Sequence, residues 1–413
     1  MYLKQNSQYF DKFKVFLKNL IYNTFMKASN FFLPIRREVN EVSISAKIML
    51  KSGMIQKLAS GLYSWLPMGY KIMSKIENII SEEFENMGFN RMCIPTLHPA
   101  DLWKESERYD AYGKEMLRVF DRKNNEFIYG PSAEEPCVDM VRQANINKNN
   151  LPINLFNIQW KFRDELRPRF GVVRCREFYM CDGYSFHETV DQSSKFYDDV
   201  FKGYHRIFKK LGLEAIAKEA ETGEVGGLKS HEFHIPSDVG EDEIEINGSN
   251  KSSLELGHIF LLGDRYTAPM KLSITNSENK QFPLIMGCYG LGVSRIVAAM
   301  IEKYYNHESD SIVWPIDFAP FAINIINADM KCENCINLSN EICNKYKNIA
   351  FYDDRIISVG QKFTASDMIG SPIKIVIWPK ELKNGLVEIR FQGKKENIEI
   401  EKIYEYVNNI MQF

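Results

Sequence analysis

No stretch of this 413-residue chain is apolar for long enough to cross a bilayer as a helix, which takes roughly 20 such residues in a row. Neither charge is in excess. The 52 Lys and Arg against 54 Asp and Glu leave a formal charge of -2, so an acidic partner would have to meet a local basic surface. The 8 cysteines follow no regular spacing, which excludes a disulfide framework and suits a reducing, cytoplasmic setting. Cys332 and Cys335 form one Cys-x-x-Cys with no second close pair, so no structural zinc is expected. What is present is ordinary for a globular protein: 45% hydrophobic and 26% charged residues, over a length that admits two or three cores.

Residues 1–25 place Phe10, Phe13, Leu17, Leu20 and Ile21 on one helical face with lysines between them. They read as an accessory or weak targeting helix, or as sequence upstream of a start at Met26. Helical spacing is expected from Ser43 to Leu58 and from Tyr70 to Met87, the second stopped by Gly88. Arg91 to Leu97 reads as a strand with Pro95 inside it, hence at an edge or interface. Further on, the pattern predicts a strand at Glu126–Tyr129 and helices at Glu134–Ala144 and Val190–Leu211. The acidic, polar segment Ser237–Ser253 reads as a loop, and two prolines between Ile312 and Pro320 mark a domain boundary. Beyond it, strands and helices alternate as an α/β module of roughly a hundred residues.

The segment KFRDELRPRFGVVRCREF, Lys161 to Phe178, concentrates Arg163, Arg167, Arg169, Arg174 and Arg176. As strand, loop and strand it turns at Pro168 and Gly171, with a returning strand from Val172. Guanidiniums beside an aromatic suit a nucleotide, and cross-strand Arg–Glu pairing on a solvated surface suits the same residues. Gly287, Gly290 and Gly292, followed by Arg295 at a helix start, permit close backbone approach to a ligand. Ser132 with Glu135 fits a capping box, while Glu134 beside it suits a substrate ammonium. His258 suits a pocket wall or a buried structural imidazole.

Taken in order, these segments resemble the class II aminoacyl-tRNA synthetases. RDE and RCREF resemble motif 2 and GCYGLGVSR motif 3, and the long helix ending in the strand with Pro95 resembles motif 1. GPSAEE, SHEFHIPS and LGHIFLLG narrow the likeness to bacterial prolyl-tRNA synthetase, from about Ser29 to the C-terminus. The resemblance implies an α+β chain: a catalytic domain on an antiparallel sheet over 26–315, an anticodon-binding domain over 316–413, and a homodimer formed through motif 1. It implies that proline's carboxylate attacks the ATP α-phosphate and that the prolyl group passes to the 3′ end of tRNA(Pro), with Mg2+ accompanying ATP.

By motif position, the resemblance gives Arg163 the proline carboxylate and the α-phosphate. Glu165 takes the adenine amino group and Phe178 its ring, while Arg174 and Arg295 take the β- and γ-phosphates. It sets Ser132, Glu134, Asp182, His258 and Cys288 at the proline pocket, and Arg355 and Lys362 at the anticodon. Ser132 departs from the threonine common in the family. Ser237–Ser253 is far too short for the editing domain many bacterial members carry there, so no cis editing of alanyl-tRNA is expected and a separate factor would clear misacylated tRNA. A class II synthetase of another specificity, and a non-catalytic tRNA-binding protein on the same fold, are the alternatives.

Overall fold

The computed structural model describes residues 26–36, 38–275 and 280–411, so the expected helix within 1–25 lies outside the described residues. Among these, one sheet of eight strands carries the larger part of the chain. Its middle is the antiparallel set Lys229–Pro236, Ser249–Gly263, Ile285–Gly292, Glu177–His187 and Ile153–Phe162. Strand Ile285–Gly292 is buried along most of its length because helices cover both faces of the sheet. On one face lie Pro67–Asn86, Val190–Lys210 and Val293–Tyr304; on the other lies Glu134–Gln143, over Tyr184, Phe186 and Met286.

The helix Pro67–Asn86 shows how local pattern becomes packing. Pro67 stands at its first turn, where its missing N–H costs nothing, and Gly88 ends it with φ +87°. Ile72, Ile76, Ile80 and Phe84 fall on one stripe and are fully buried, each worth about 1.5–3 kcal/mol of apolar burial. Phe84 meets Phe89, Phe156 and Tyr204 at 5.0–6.2 Å, clamping helix to sheet.

Residues 322–411 form a second sheet, ordered Ala350–Asp353, Ile323–Asn327, Ile373–Ile377, Leu386–Phe391, Lys394–Glu399, with its own core around Ile325, Tyr352, Ile375 and Val407. Its outer edge is completed by Met26–Lys27, pairing in parallel with Phe351 and Tyr352. This strand was expected to belong to the larger domain. Ser29 fastens it through two hydrogen bonds to Asp354, at 2.8 and 2.6 Å, and Phe31 seats against Phe321 and Phe351.

Several expected elements differ. The helix expected to reach Leu58 ends at Lys51, where Gly53 at φ +70° closes against Pro34 and a hairpin, Ile55–Ala59 with Leu62–Trp65, follows. The strand expected over Arg91–Leu97 is divided into Asn90–Arg91 and Leu97–Pro99 around Pro95, which has no N–H to pair. Continuous pairing of the charged hairpin stops at Phe162 and Glu177, and beyond it only Arg169 and Arg174 form an isolated bridge. Phe170 and Gly171, at φ +58° and +62°, turn the chain back early, so residues 163–176 are a folded loop rather than strand. The expected loop Ser237–Ser253 is itself a hairpin, Asp242–Ile246 against the start of Ser249–Gly263, turned at Asn247 and Gly248 with φ +52° and +78°. Ser132 is not the helix N-cap. Ala133 is, without a side-chain bond, and the expected capping box is absent.

Candidate active site

The exposed end of the large sheet opens into a cavity of about 400 Å³. Strand register builds it. Cys288 lies opposite Tyr184 and Phe260, and His258 opposite Gly290, so residues more than a hundred positions apart share one floor. At Gly290 the terminal methyl of Met180 takes the space a Cβ would enter, 2.6 Å away. A wider groove of about 890 Å³ lies at Ser43, Ile235–Val239 and Glu302, away from these groups. The smaller cavity gathers the convergent charges, and there we place the chemistry.

Nine of the expected site residues line it: Ser132, Glu134, Arg163, Glu165, Arg174, Phe178, His258, Cys288 and Arg295. At one end Arg163 sits 5.2 Å over the Phe178 ring, and its Nε is buried without a partner. Glu165 accepts from Arg174 at 2.8 and 2.9 Å, and those hydrogen bonds hold its carboxyl below the usual range. Arg174 also reaches Glu241, which Arg169 meets at 2.7 Å. Arg295 donates to the carbonyls of Glu255 and Val173 at 2.7 and 3.1 Å, tying the 163–176 loop to the helix Val293–Tyr304.

At the other end, Glu134 and Ser132 surround a guanidinium that sequence inspection missed. Arg108 is buried, 2% exposed, and donates to Glu134 at 3.1 Å, Glu135 at 3.0 Å and Ser132 at 3.4 Å. Burial pushes the Glu134 carboxyl up, but Arg108 with hydrogen bonds from Ser132 and Cys288 outweighs it, so it rests below its ordinary value. Burial raises Glu135 instead, reinforced by the Glu134 charge. The Cys288 thiol donates to Glu134 at 3.2 Å, and burial beside that carboxylate raises it far above the thiol range, so it is a wall and not a nucleophile.

His258 stacks on Phe260 at 3.9 Å and faces Glu232 and Glu255 at 3.5 and 3.6 Å. The ligand atoms of these three lie within 4.8 Å of one another.

Three expected site residues stand elsewhere. Asp182 lies beneath the cavity, 1% exposed, bonded to Lys161 at 2.9 Å and accepting from Tyr184 at 2.8 Å. Tyr184 in turn accepts from the Ala133 N–H at 2.8 Å, so Asp182 supports the floor from below, outside the cavity lining. Arg355 forks onto Asp353, with Nε at 2.8 Å from its carboxylate. Lys362 is buried, 1% exposed, and donates to the carbonyls of Asn327 and Asp353 at 2.9 and 3.0 Å. It braces that loop from inside and offers no charge to the surface.

Comparison with known proteins accords with this geometry. Residues 116–304 match the tRNA synthetase class II core domain (G, H, P, S and T), and residues 322–410 match the anticodon binding domain. A proline–tRNA ligase of Ehrlichia canis is 39% identical over 412 residues, covering 90% of this chain and 96% of that one. One of Rickettsia bellii is 39% identical over 422 residues, covering 91% and 97%. Among solved structures, a prolyl-tRNA synthetase of Cryptosporidium parvum complexed with halofuginone and AMPPNP superposes with a TM-score of 0.77 at 18% identity, over 89% of this chain and 76% of that one. The same enzyme complexed with L-proline and AMP gives 0.76 at 16% identity.

Proposed function

The chain belongs to the proline–tRNA ligase family of class II synthetases, enzymes that join proline to tRNA; on that premise we propose how its residues divide the work. The carrying observation is one cavity with two chemically distinct ends, Ser132 and Glu134 facing Arg163, Glu165, Arg174 and Arg295. Proline's secondary ammonium has two N–H donors, and Glu134 with Ser132 offers acceptors to both. Arg163, with a free buried Nε, bridges the proline carboxylate and the ATP α-phosphate. Its charge offsets that developing as the carboxylate oxygen bonds to phosphorus and pyrophosphate leaves. Phe178 stacks on adenine, Glu165 accepts from its amino group, and Arg174 and Arg295 hold the β- and γ-phosphates.

A Mg2+ ion accompanying ATP fits the carboxylates of Glu232 and Glu255, hard oxygen donors whose ligand atoms lie within 4.8 Å of each other and of His258. Bound there, it supplies neutralisation of phosphate charge. The protein's own part is to keep Glu255 ionised. Burial opposes that, but His258 and Arg295 bring its carboxyl down to about 2.

The rest of the reading is as follows. The larger domain, up to residue 315, acts in catalysis, and 316–413, with the strand Met26–Lys27 added to its sheet, act as anticodon-binding domain, with Arg355 meeting the anticodon and Lys362 holding the loop that presents it. Two chains pair through the Pro67–Asn86 region, the protein works in the cytoplasm, and the Ser237–Ser253 hairpin leaves no cis editing. Proline–tRNA ligases discriminate weakly against alanine by apolar contact alone, so a separate factor removes alanyl-tRNA, and hydrolysis of alanyl-tRNA by the purified protein would refute this. The whole reading rests on one measurement. Proline must drive ATP–pyrophosphate exchange in the wild type, and Arg163→Ala must abolish it. Exchange driven by another amino acid would reassign the specificity.

A further inference from the structure

Arg108 is costly to keep where it is. Removing a guanidinium from water carries a penalty of several kcal/mol that only good partners offset, and its Nε is buried with no partner at all. Glu107, immediately before it, takes φ +64°, a conformation unfavourable for a residue with a Cβ, and so turns Arg108 inward. Three aromatic rings enclose the guanidinium, those of Trp103, Tyr112 and Tyr266 at 4.8, 5.5 and 5.4 Å.

Its hydrogen bonds are unequally shared. One terminal nitrogen serves both carboxylates, meeting Glu135 through both oxygens at 3.0 and 3.3 Å but Glu134 only through Oε2 at 3.1 Å. Glu135 is further anchored by Ser106 at 2.8 Å. Oε1 of Glu134 is not gripped by Arg108 and accepts from the weak Cys288 thiol at 3.2 Å, so accepting capacity remains for the cavity.

We propose that Arg108 is a positioning residue for the amino-acid end of the site. By gripping Oε2 of Glu134 it fixes the carboxylate with Oε1 towards the substrate, and it keeps that carboxylate ionised through the physiological pH range although it is out of contact with bulk water. Glu135 balances the guanidinium so that the pocket retains one net attraction for a secondary ammonium. This rests on the reading of Glu134 as the ammonium acceptor.

The other titratable groups around Glu134 do not duplicate the effect. Tyr112 and Tyr266 beside the guanidinium, and Tyr184 below, are all pushed above the tyrosine range by burial. Cys137 and Cys288 are raised likewise. Burial holds His98 down at about 4, and Asp182 is tied to Lys161. His258 lies across the cavity and is common to every variant below.

The test is the KM for proline and for ATP in pyrophosphate exchange, at pH 6 and pH 8, for the full-length protein. Wild type is expected to hold its proline KM within about twofold between the two pH values. In Arg108→Met/Glu135→Gln, where both buried charges leave together, Glu134 loses its cation and protonates more readily. Its proline KM should be at least about tenfold higher at pH 6 than at pH 8, because a buried carboxyl without its cation has to be charged again to hold the ammonium, with the ATP KM unchanged. Glu135→Gln alone keeps Arg108 and should stay flat. A folded double variant with a flat proline KM, an ATP KM that rises in parallel, or the pH dependence appearing in Glu135→Gln alone would each overturn the proposal. If the double variant does not fold, Arg108→Lys decides. A lysine cannot span both carboxylates and Ser132, so its proline KM should rise at both pH values, and an unchanged KM overturns the proposal. Wild type without proline-dependent exchange would instead defeat the functional reading itself.

Discussion

The carboxylate of Glu241 accepts a hydrogen bond from the guanidinium of Arg174, joining the Ser237–Ser253 hairpin to the 163–176 loop that lines the cavity. Arg174 is the proposed partner of the ATP phosphates, so Glu241 competes with them for one cation. Both side chains are 34% exposed, and a pair of that kind contributes only about 0.2–1 kcal/mol. Glu241→Gln is therefore expected to lower the KM for ATP by up to about fivefold without altering the KM for proline, the conversion of that energy to a ratio. Steady-state exchange at varied ATP measures it, and a raised ATP KM would show that Glu241 orients Arg174 and does not compete for it.

Lys161 and Asp182 make a buried ion pair, each 1% exposed. Removing one partner leaves an unpaired charge, so Lys161→Met should destabilise the protein by about 3–5 kcal/mol. Replacing both, as Lys161→Met/Asp182→Leu, should recover much of that. Urea unfolding of the three proteins checks the order, and an undamaged Lys161→Met would mean that Asp182 is already protonated.

Gly61 turns the hairpin Ile55–Ala59 with Leu62–Trp65, just before the long helix Pro67–Asn86, and its carbonyl accepts from the Arg176 N–H at 2.9 Å. A Cβ on it would stand 2.9 Å from Pro168, at φ +73°. Gly61→Ala should then cost roughly 1–2 kcal/mol in backbone strain alone and shift the 163–176 loop. Raised ATP KM with a proline KM near wild type is the expected signature.

His98 is 1% exposed, hydrogen-bonded through neither ring nitrogen, and packed against Gly130, where a Cβ would come within 2.2 Å of its ring. Burial lowers its pKa from 6.5 to about 4. The unfolded chain therefore takes up a proton between pH 6.5 and 4 that the folded protein refuses, so stability is intact above 6.5 and falls through that window. The loss is of order 3 kcal/mol for a shift of this size. Thermal unfolding across pH 4 to 7 should be less acid-sensitive in His98→Leu than in wild type. An equal slope would move the effect to His187, which burial also lowers to about 4.

Legibility in the sequence followed range. Glu126–Tyr129, Glu134–Gln143 and Val190–Lys210 stand within a residue of where periodicity puts them, because one face of each is apolar. Most of the cavity was readable because its residues sit in four short segments whose order carries a family resemblance. Arg108 was not readable. In KESERYD it looks like one more solvated cation, and only the fold brings Ser132, Glu134, Glu135 and Tyr266 around it. Lys362 fails for the same reason, since its helix Val359–Ile369 is buried through partners on two strands. The hairpin at Asp242–Ile246 did carry a local signal, the alternation DEIEI closed by Asn247–Gly248, which its high charge concealed.

The short strand Met26–Lys27 has a mechanical consequence. The large sheet's domain joins the smaller one through the chain at 313–321, and again through this strand and the Ser29–Asp354 bonds. Between these, Trp314 donates to the Gly370 carbonyl at 3.1 Å and Phe31, Phe321 and Phe351 pack ring against ring, so the two domains are fastened over a face and not at a single point. Sliding and twisting of the smaller domain are thereby suppressed.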